Sequence, residues 1–177
     1  MKKIIGLFVA LILLSLSCKE LDQYTMFDFQ FNFTFALPPI PEAHVPIEIT
    51  LPSIPIKADS IFNHYNTSPG FIEEIVLTGM QLEITSPDYP NFAFLNRLSF
   101  WLTDKTLQDK EMAWKFPIPK EGNDTLKLET TPDNLMGYLI TDTLHLKLVT
   151  INDSITHNTI MITTRMIFHV DAKILGV

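Results

Sequence analysis

Phe27, Phe29, Phe31, Phe33 and Phe35 alternate with Asp28, Gln30, Asn32 and Thr34. A strict period of two fits an extended strand and no helix, and it places all five rings on one face. Left in water, the five rings would cost on the order of 10 kcal/mol, at roughly 25 cal/mol per Å² of apolar area. The face must therefore be covered. The residues leave two covers open: the core of the domain, with this strand as one wall, or lipid or a bound apolar ligand. An integral barrel is excluded, since it would need about eight or more segments this regular. This chain has one.

The following stretch, residues 37–56, changes character, with prolines at 38, 39, 41, 46, 52 and 55. Proline cannot donate to a ladder, so this is extended, edge-like chain. Val45 to Leu51 and Ile54 to Ile56 are candidate short strands, and the prolines make a rigid edge that resists sheet-to-sheet aggregation.

From Phe71 onward the pattern predicts strands separated by turns about every ten residues. Ile75 and Leu77 alternate ahead of Leu82 and Ile84 with a change of face between them, and Gly79 marks a bulge. Residues 86–91 (Ser-Pro-Asp-Tyr-Pro-Asn) form a turn. Leu98, Phe100 and Leu102 face one way, and Ser99, Trp101 and Thr103 the other. Met112, Trp114 and Phe116 suggest a further apolar face, and Leu126 and Leu128 follow the turn at 122–124. Residues 132–140 are expected to hold one helical turn begun by Pro132 or Asp133. Leu144, Leu146 and Leu148 are expected to pair with a last strand over 159–173. No helix of any length is expected after the N-terminal segment.

Such spacing predicts an all-β fold, an antiparallel β-sandwich of roughly seven to nine strands. Residues 71–173 resemble the small Ig-like or fibronectin-type sandwich domains of surface lipoproteins, by pattern and without a specific motif.

The N-terminus carries a different signal. Lys2 and Lys3 precede an apolar run from Ile4 to Leu14, and Ser15-Leu16-Ser17 leads into Cys18, the single cysteine. This is the three-part layout of a secretory signal helix. The run is too short for a transmembrane anchor, which needs about 20 apolar residues. A lone cysteine at this place resembles the lipobox of bacterial lipoproteins of the Bacteroidetes type, although Ser15 stands where the commonest lipobox has Leu. The resemblance implies that residues 1–17 are a signal peptide and that Cys18 is acylated, with palmitate or a similar chain, as the first residue of the mature protein. Lys19, Glu20 and Asp22 are similar to the Lys-plus-acidic signal that sends such lipoproteins to the cell surface. The expected organisation is a signal peptide over 1–17, a lipidated cysteine with a tether over 18–25, and one sandwich domain over 26–177.

Without Lys2 and Lys3, the 13 basic residues fall to 11 against 20 acidic, a formal charge of −9. An acidic exported domain is a poor partner for nucleic acid, which needs clustered Lys and Arg. Its attachment to a membrane must come from acyl chains, two or more of which anchor stably. With Cys18 acylated, no thiol remains for a disulfide, a metal or a nucleophile.

No catalytic group can be assembled. The five histidines lack a metal-ligand spacing. His145 alternates with leucines and points outward beside Lys147, and His169 shares a face with Asp171 as a candidate ion pair. No G-x-S-x-G is present. The turns at Asn123-Asp124, Asp142 and Asn152-Asp153 each offer one carboxylate, which suits a turn bonding its own backbone better than calcium. The candidate binding surface is aromatic: Trp101, on the polar side of its strand by parity, with Tyr89 and Phe92 in the adjacent loop. Tyr65 and Tyr138 lie in other irregular stretches. The competing view of Trp101 is that the loop 86–93 or the N-terminal region covers it. No enzyme, metal or cofactor is expected. The expectation is a lipid-anchored, non-catalytic envelope protein on the periplasmic face of the outer membrane or the cell surface, an accessory subunit with an envelope protein partner. The alternative is a binder of an apolar acyl ligand or a glycan.

Overall fold

The computed structural model describes residues 26–87, 91–122 and 124–173. The signal segment, Cys18, Lys19, Glu20, Asp22 and Tyr89 lie outside the described residues. In chain order the elements are β1 (Met26–Leu37), β2 (Pro46–Thr50), β3 (Ile54–Pro55), helix α1 (Ala58–His64), a 3-10 turn (Pro69–Phe71), β4 (Ile72–Ser86), β5 (Leu95–Leu102), β6 (Lys110–Lys115), β7 (Thr125–Thr130), helix α2 (Met136–Leu139), β8 (Thr143–Leu144), β9 (Leu146–Asn152) and β10 (Ile160–Ala172). Ten strands exceed the expected seven to nine, the excess being the two-residue pair β3 and β8. The fold is all-β and antiparallel, as the alternation requires.

Eight strands form one sheet in the order β1-β10-β4-β7-β6-β5-β9-β2. The β6–β7 ladder is short, Ala113 to Thr130 and Trp114 to Glu129, and the sheet curls there. Strands β1, β10 and β4 thereby come to face β5, β9 and β2 as the two layers of a sandwich. The Phe35 and Phe100 rings meet edge to face across the gap, centroids 5.8 Å apart.

The odd-numbered residues of β1 face the interior, but unevenly. Their cross-strand neighbours on β10 (Val170, Phe168, Met166, Thr164 and Ile162) are all buried. Phe35 is 3% exposed, whereas Phe27, Phe29, Phe31 and Phe33 are half-buried at the open side of the sandwich. Phe29 stacks on Phe168 at 5.1 Å and Phe27 on Tyr65 at 3.9 Å. The face is a wall of the core at one end and a partly covered margin over the rest.

The change of face in β4 is a bulge. Ile167 pairs with Gly79 and Phe168 with Leu77, so Thr78 is left over and the inward set passes from Ile84, Leu82 and Met80 to Leu77 and Ile75. The Pro-rich stretch supplies β2 at the far edge of the sheet and β3 beside it.

Three expectations fail. Strand β9 pairs with β5 and β2, while β10 lies in the other layer between β1 and β4. Residues 153–159 cross between the layers, so neighbours in sequence are not neighbours in the sheet. In β6, a slip opposite Phe100 and Trp101 buries both Met112 and Ala113. It reverses the parity beyond them, leaving Trp114 half-buried and Phe116 59% exposed. Helix α1 is real although short. It follows Lys57 in the left-handed region (φ 51°) and buries Ala58 and Phe62. The turn expected in 132–140 is α2, begun at Met136.

Candidate functional site

Alternation along three neighbouring strands builds the outer face on which Trp101 stands. Trp101 of β5 is opposite Lys147 of β9, Ser99 is opposite Val149, and Glu48 of β2 is also opposite Val149. These side chains point away from the core that Leu98, Phe100, Leu146 and Leu148 fill. They line a groove of about 400 Å³.

Trp101 donates its indole N–H to Ser99 Oγ at 3.0 Å. Ser99 is only 3% exposed despite facing outward. The indole therefore lies back along its own strand over Ser99, one face against the sheet and the other toward the groove. Lys147 Nζ sits 5.7 Å from the ring centroid, a distance for cation–π attraction. The same ammonium bonds Asp109 at 2.9 Å and approaches Glu48 at 3.9 Å. The Asp109 hydrogen bond holds Lys147 above the usual lysine pKa. Arg97 pairs with Glu111 at 3.6 Å along the same border. The groove thus offers one aromatic plate in a frame of charges already occupied with one another. It can hold a partner by contact, and it sets no general base beside a nucleophile.

Of the described aromatic candidates, Trp101 alone is brought to this surface. Phe92 is 2% exposed and stacks on Phe94 at 6.4 Å, so it belongs to the core and not to a binding surface. Trp101 is half-buried, its indole bonded to Ser99 and Lys147 placed over its ring; the middle of the loop 86–93 lies outside the described residues. Tyr65 covers Phe27, and Tyr138 donates to the Gln108 carbonyl. His169 pairs with Asp28 across the strands at 2.7 Å, in place of the expected Asp171. His145 is exposed as expected and lies 3.3 Å from Ser53 Oγ. Asp153 takes Lys120 and lies 3.8 Å from His44, while the Asp124 and Asp142 carbonyls accept from Ile84 and Ile56. Among the described residues no group of three or more His, Cys, Asp or Glu could hold a metal. No described helix is long and apolar enough to cross a membrane.

The charged partners Glu48, Arg97 and Asp109 escaped the sequence reading. Outward parity marked Lys147, but only the order β5-β9-β2 reveals that these groups share one surface.

No family model matches the chain, and no curated protein matches it. Among solved structures, one of Desmodium yellow mottle tymovirus aligns at 13% identity over 86% of this chain and 91% of that chain, with a TM-score of 0.32. One of the empty head of turnip yellow mosaic virus aligns at 11% identity over 85% and 84%, with a TM-score of 0.25. Likenesses this weak support no statement about fold or function.

Proposed function

We propose that this is a lipid-anchored, non-catalytic envelope protein whose sandwich acts as an accessory subunit, docking a second envelope protein through its surface. The observation that carries the reading is the Trp101 groove, an open contact face whose ionisable groups are committed to one another. The anchor is supported by Cys18 at the end of the apolar run. Residues 19–25 can reach at most about 25 Å, at about 3.5 Å per residue, so β1 stays close to the membrane surface. Tethering there raises the effective concentration of the domain toward a membrane partner. In-cell photo-crosslinking from position 48 of the acylated chain should give one discrete adduct with an envelope protein. Labelling spread over many proteins, or none, would overturn the docking role.

A second reading rests on the flat indole. A half-buried aromatic plate bordered by carboxylates and a guanidinium suits the apolar face and hydroxyls of a sugar. Glycan binding by the detergent-solubilised chain, lost in Trp101→Ala, would favour it over a protein partner. An apolar ligand between the sheets has less support, because the described inner-face residues of β4, β5 and β10 are packed against one another.

A further inference from the structure

The eight-stranded sheet ends in β1 on one side and β2 on the other. The two ends differ. Strand β2 is five residues long, starts with Pro46 and is followed by Pro52 and Pro55, a poor template for another strand. Strand β1 is 12 residues long and contains no proline, lysine or arginine.

Tyr65 Oη donates to the Asp28 carbonyl at 2.9 Å, from the side away from β10. The N–H and C=O of one residue in an antiparallel strand point the same way, and the direction alternates along the chain. Asp28, Gln30, Asn32 and Thr34 therefore present their backbone groups to the free edge, while the phenylalanines use theirs on β10. Among the described residues, only the Asp28 carbonyl has a partner on that edge. On the inner side, Phe29, Phe31 and Phe33 stay half-buried because the sheet stops there. An open backbone edge beside incompletely covered rings is the condition for strand addition.

We propose that the added strand is β1 of a second copy of this chain, antiparallel and centred on Phe31. Strict alternation makes β1 its own complement. In this register Phe31 faces Phe31 and Phe29 faces Phe33, so the three half-buried central rings of each copy meet rings, while Phe27, under Tyr65, and Phe35, 3% exposed, are already covered within their own copy. Gln30 and Asn32 exchange both backbone bonds with Asn32 and Gln30 of the second copy. The one charged residue, Asp28, meets Thr34 and not its own image, and its carboxylate is already paired with His169. A two-residue slip would set Phe27 against Leu37 and lose ring contacts. The pairing leaves the Trp101 groove, on the other layer, open. It does not depend on the anchor or on the docking role.

The register can be tested with single cysteines in the full chain carrying Cys18→Ser, using diamide to oxidise two thiols to one disulfide. The two copies of residue 31 form a non-hydrogen-bonded pair with Cα atoms about 4.5 Å apart, within disulfide range. Phe31→Cys should link most of the chain into a dimer on a non-reducing gel. Phe33→Cys, whose copies are four residues out of register, should not, and the cysteine-free Cys18→Ser chain gives the blank. Adding Asn32→Pro to Phe31→Cys removes an edge N–H that β10 does not use, so the fold should survive by circular dichroism while the link is lost. A folded Phe31→Cys chain that stays monomeric would overturn the proposal. So would equal linking by Phe33→Cys, or linking that survives Asn32→Pro.

Discussion

Truncating the two ends of the phenylalanine row should cost very different amounts. Phe35 is 3% exposed and its ring meets Phe100 at 5.8 Å, so it ties β1 to the opposite layer. A buried Phe→Ala change costs about 3–5 kcal/mol through lost transfer energy and the cavity left behind. Domains of this kind hold about 5–15 kcal/mol in all, so Phe35→Ala removes a large share. Phe31 is half-buried, with Phe33 beside it at 6.3 Å, and its truncation leaves a dent at the margin instead of a closed cavity. About half of a full side-chain burial, roughly 1–2 kcal/mol, is at stake there. At roughly 3 °C per kcal/mol for a chain of this length, Phe35→Ala should lower Tm by about 9–15 °C and Phe31→Ala by about 3–6 °C. Urea unfolding followed by Trp101 and Trp114 fluorescence measures both losses. Dilute protein keeps self-association through β1 from contributing. Equal losses, or a larger one for Phe31→Ala, would refute the placement of this row.

Thr164 is fully buried and its Oγ1 has no hydrogen-bond partner among the described residues, so Thr164→Val should raise stability by about 1 kcal/mol; a loss in urea unfolding would show that the hydroxyl is satisfied. A Cβ on Gly79 would meet Ile167 only at 3.8 Å, an ordinary contact, so Gly79→Ala should gain about 0.5 kcal/mol, and a marked loss would mean that the bulge needs glycine. Asp133 and Asp153 are held below the usual carboxylate pKa, first by hydrogen bonds from Lys110 and Lys120. A lowered folded pKa gives stability that is present above the ordinary value and lost as pH falls through the folded one, so Tm should decline below about pH 4. Lys147 is raised, so its contribution is present below about pH 10.5 and lost as pH climbs past its folded value. A Tm that stays level through both limits would contradict these pairings.

The legible parts of this fold are those written in local periodicity. The alternation from Phe27 to Phe35 sets a strand and its inner face, the prolines of 37–56 set an edge, and the face change beside Gly79 sets a bulge. Partner choice is not local: nothing in Leu144 to Leu148 shows that β9 turns to β5 and β2, because the crossing at 153–159 decides it. The slip in β6 has no glycine or proline to mark it, which misplaced Trp114 and Phe116. Phe92 lies in a turn segment that suggests exposure, yet it packs on Phe94 inside. For the site, parity alone set Trp101 outward. Its charged frame depends on strand order, which brings Glu48 and Lys147 together from residues far apart in sequence.

The anchor is the most direct test of the account. Intact-mass and peptide mass spectrometry of the protein taken from membranes should find a mature chain that begins at Cys18, heavier than its sequence by covalently attached acyl chains. A chain that retains Met1, or one with a free thiol at Cys18, would contradict it.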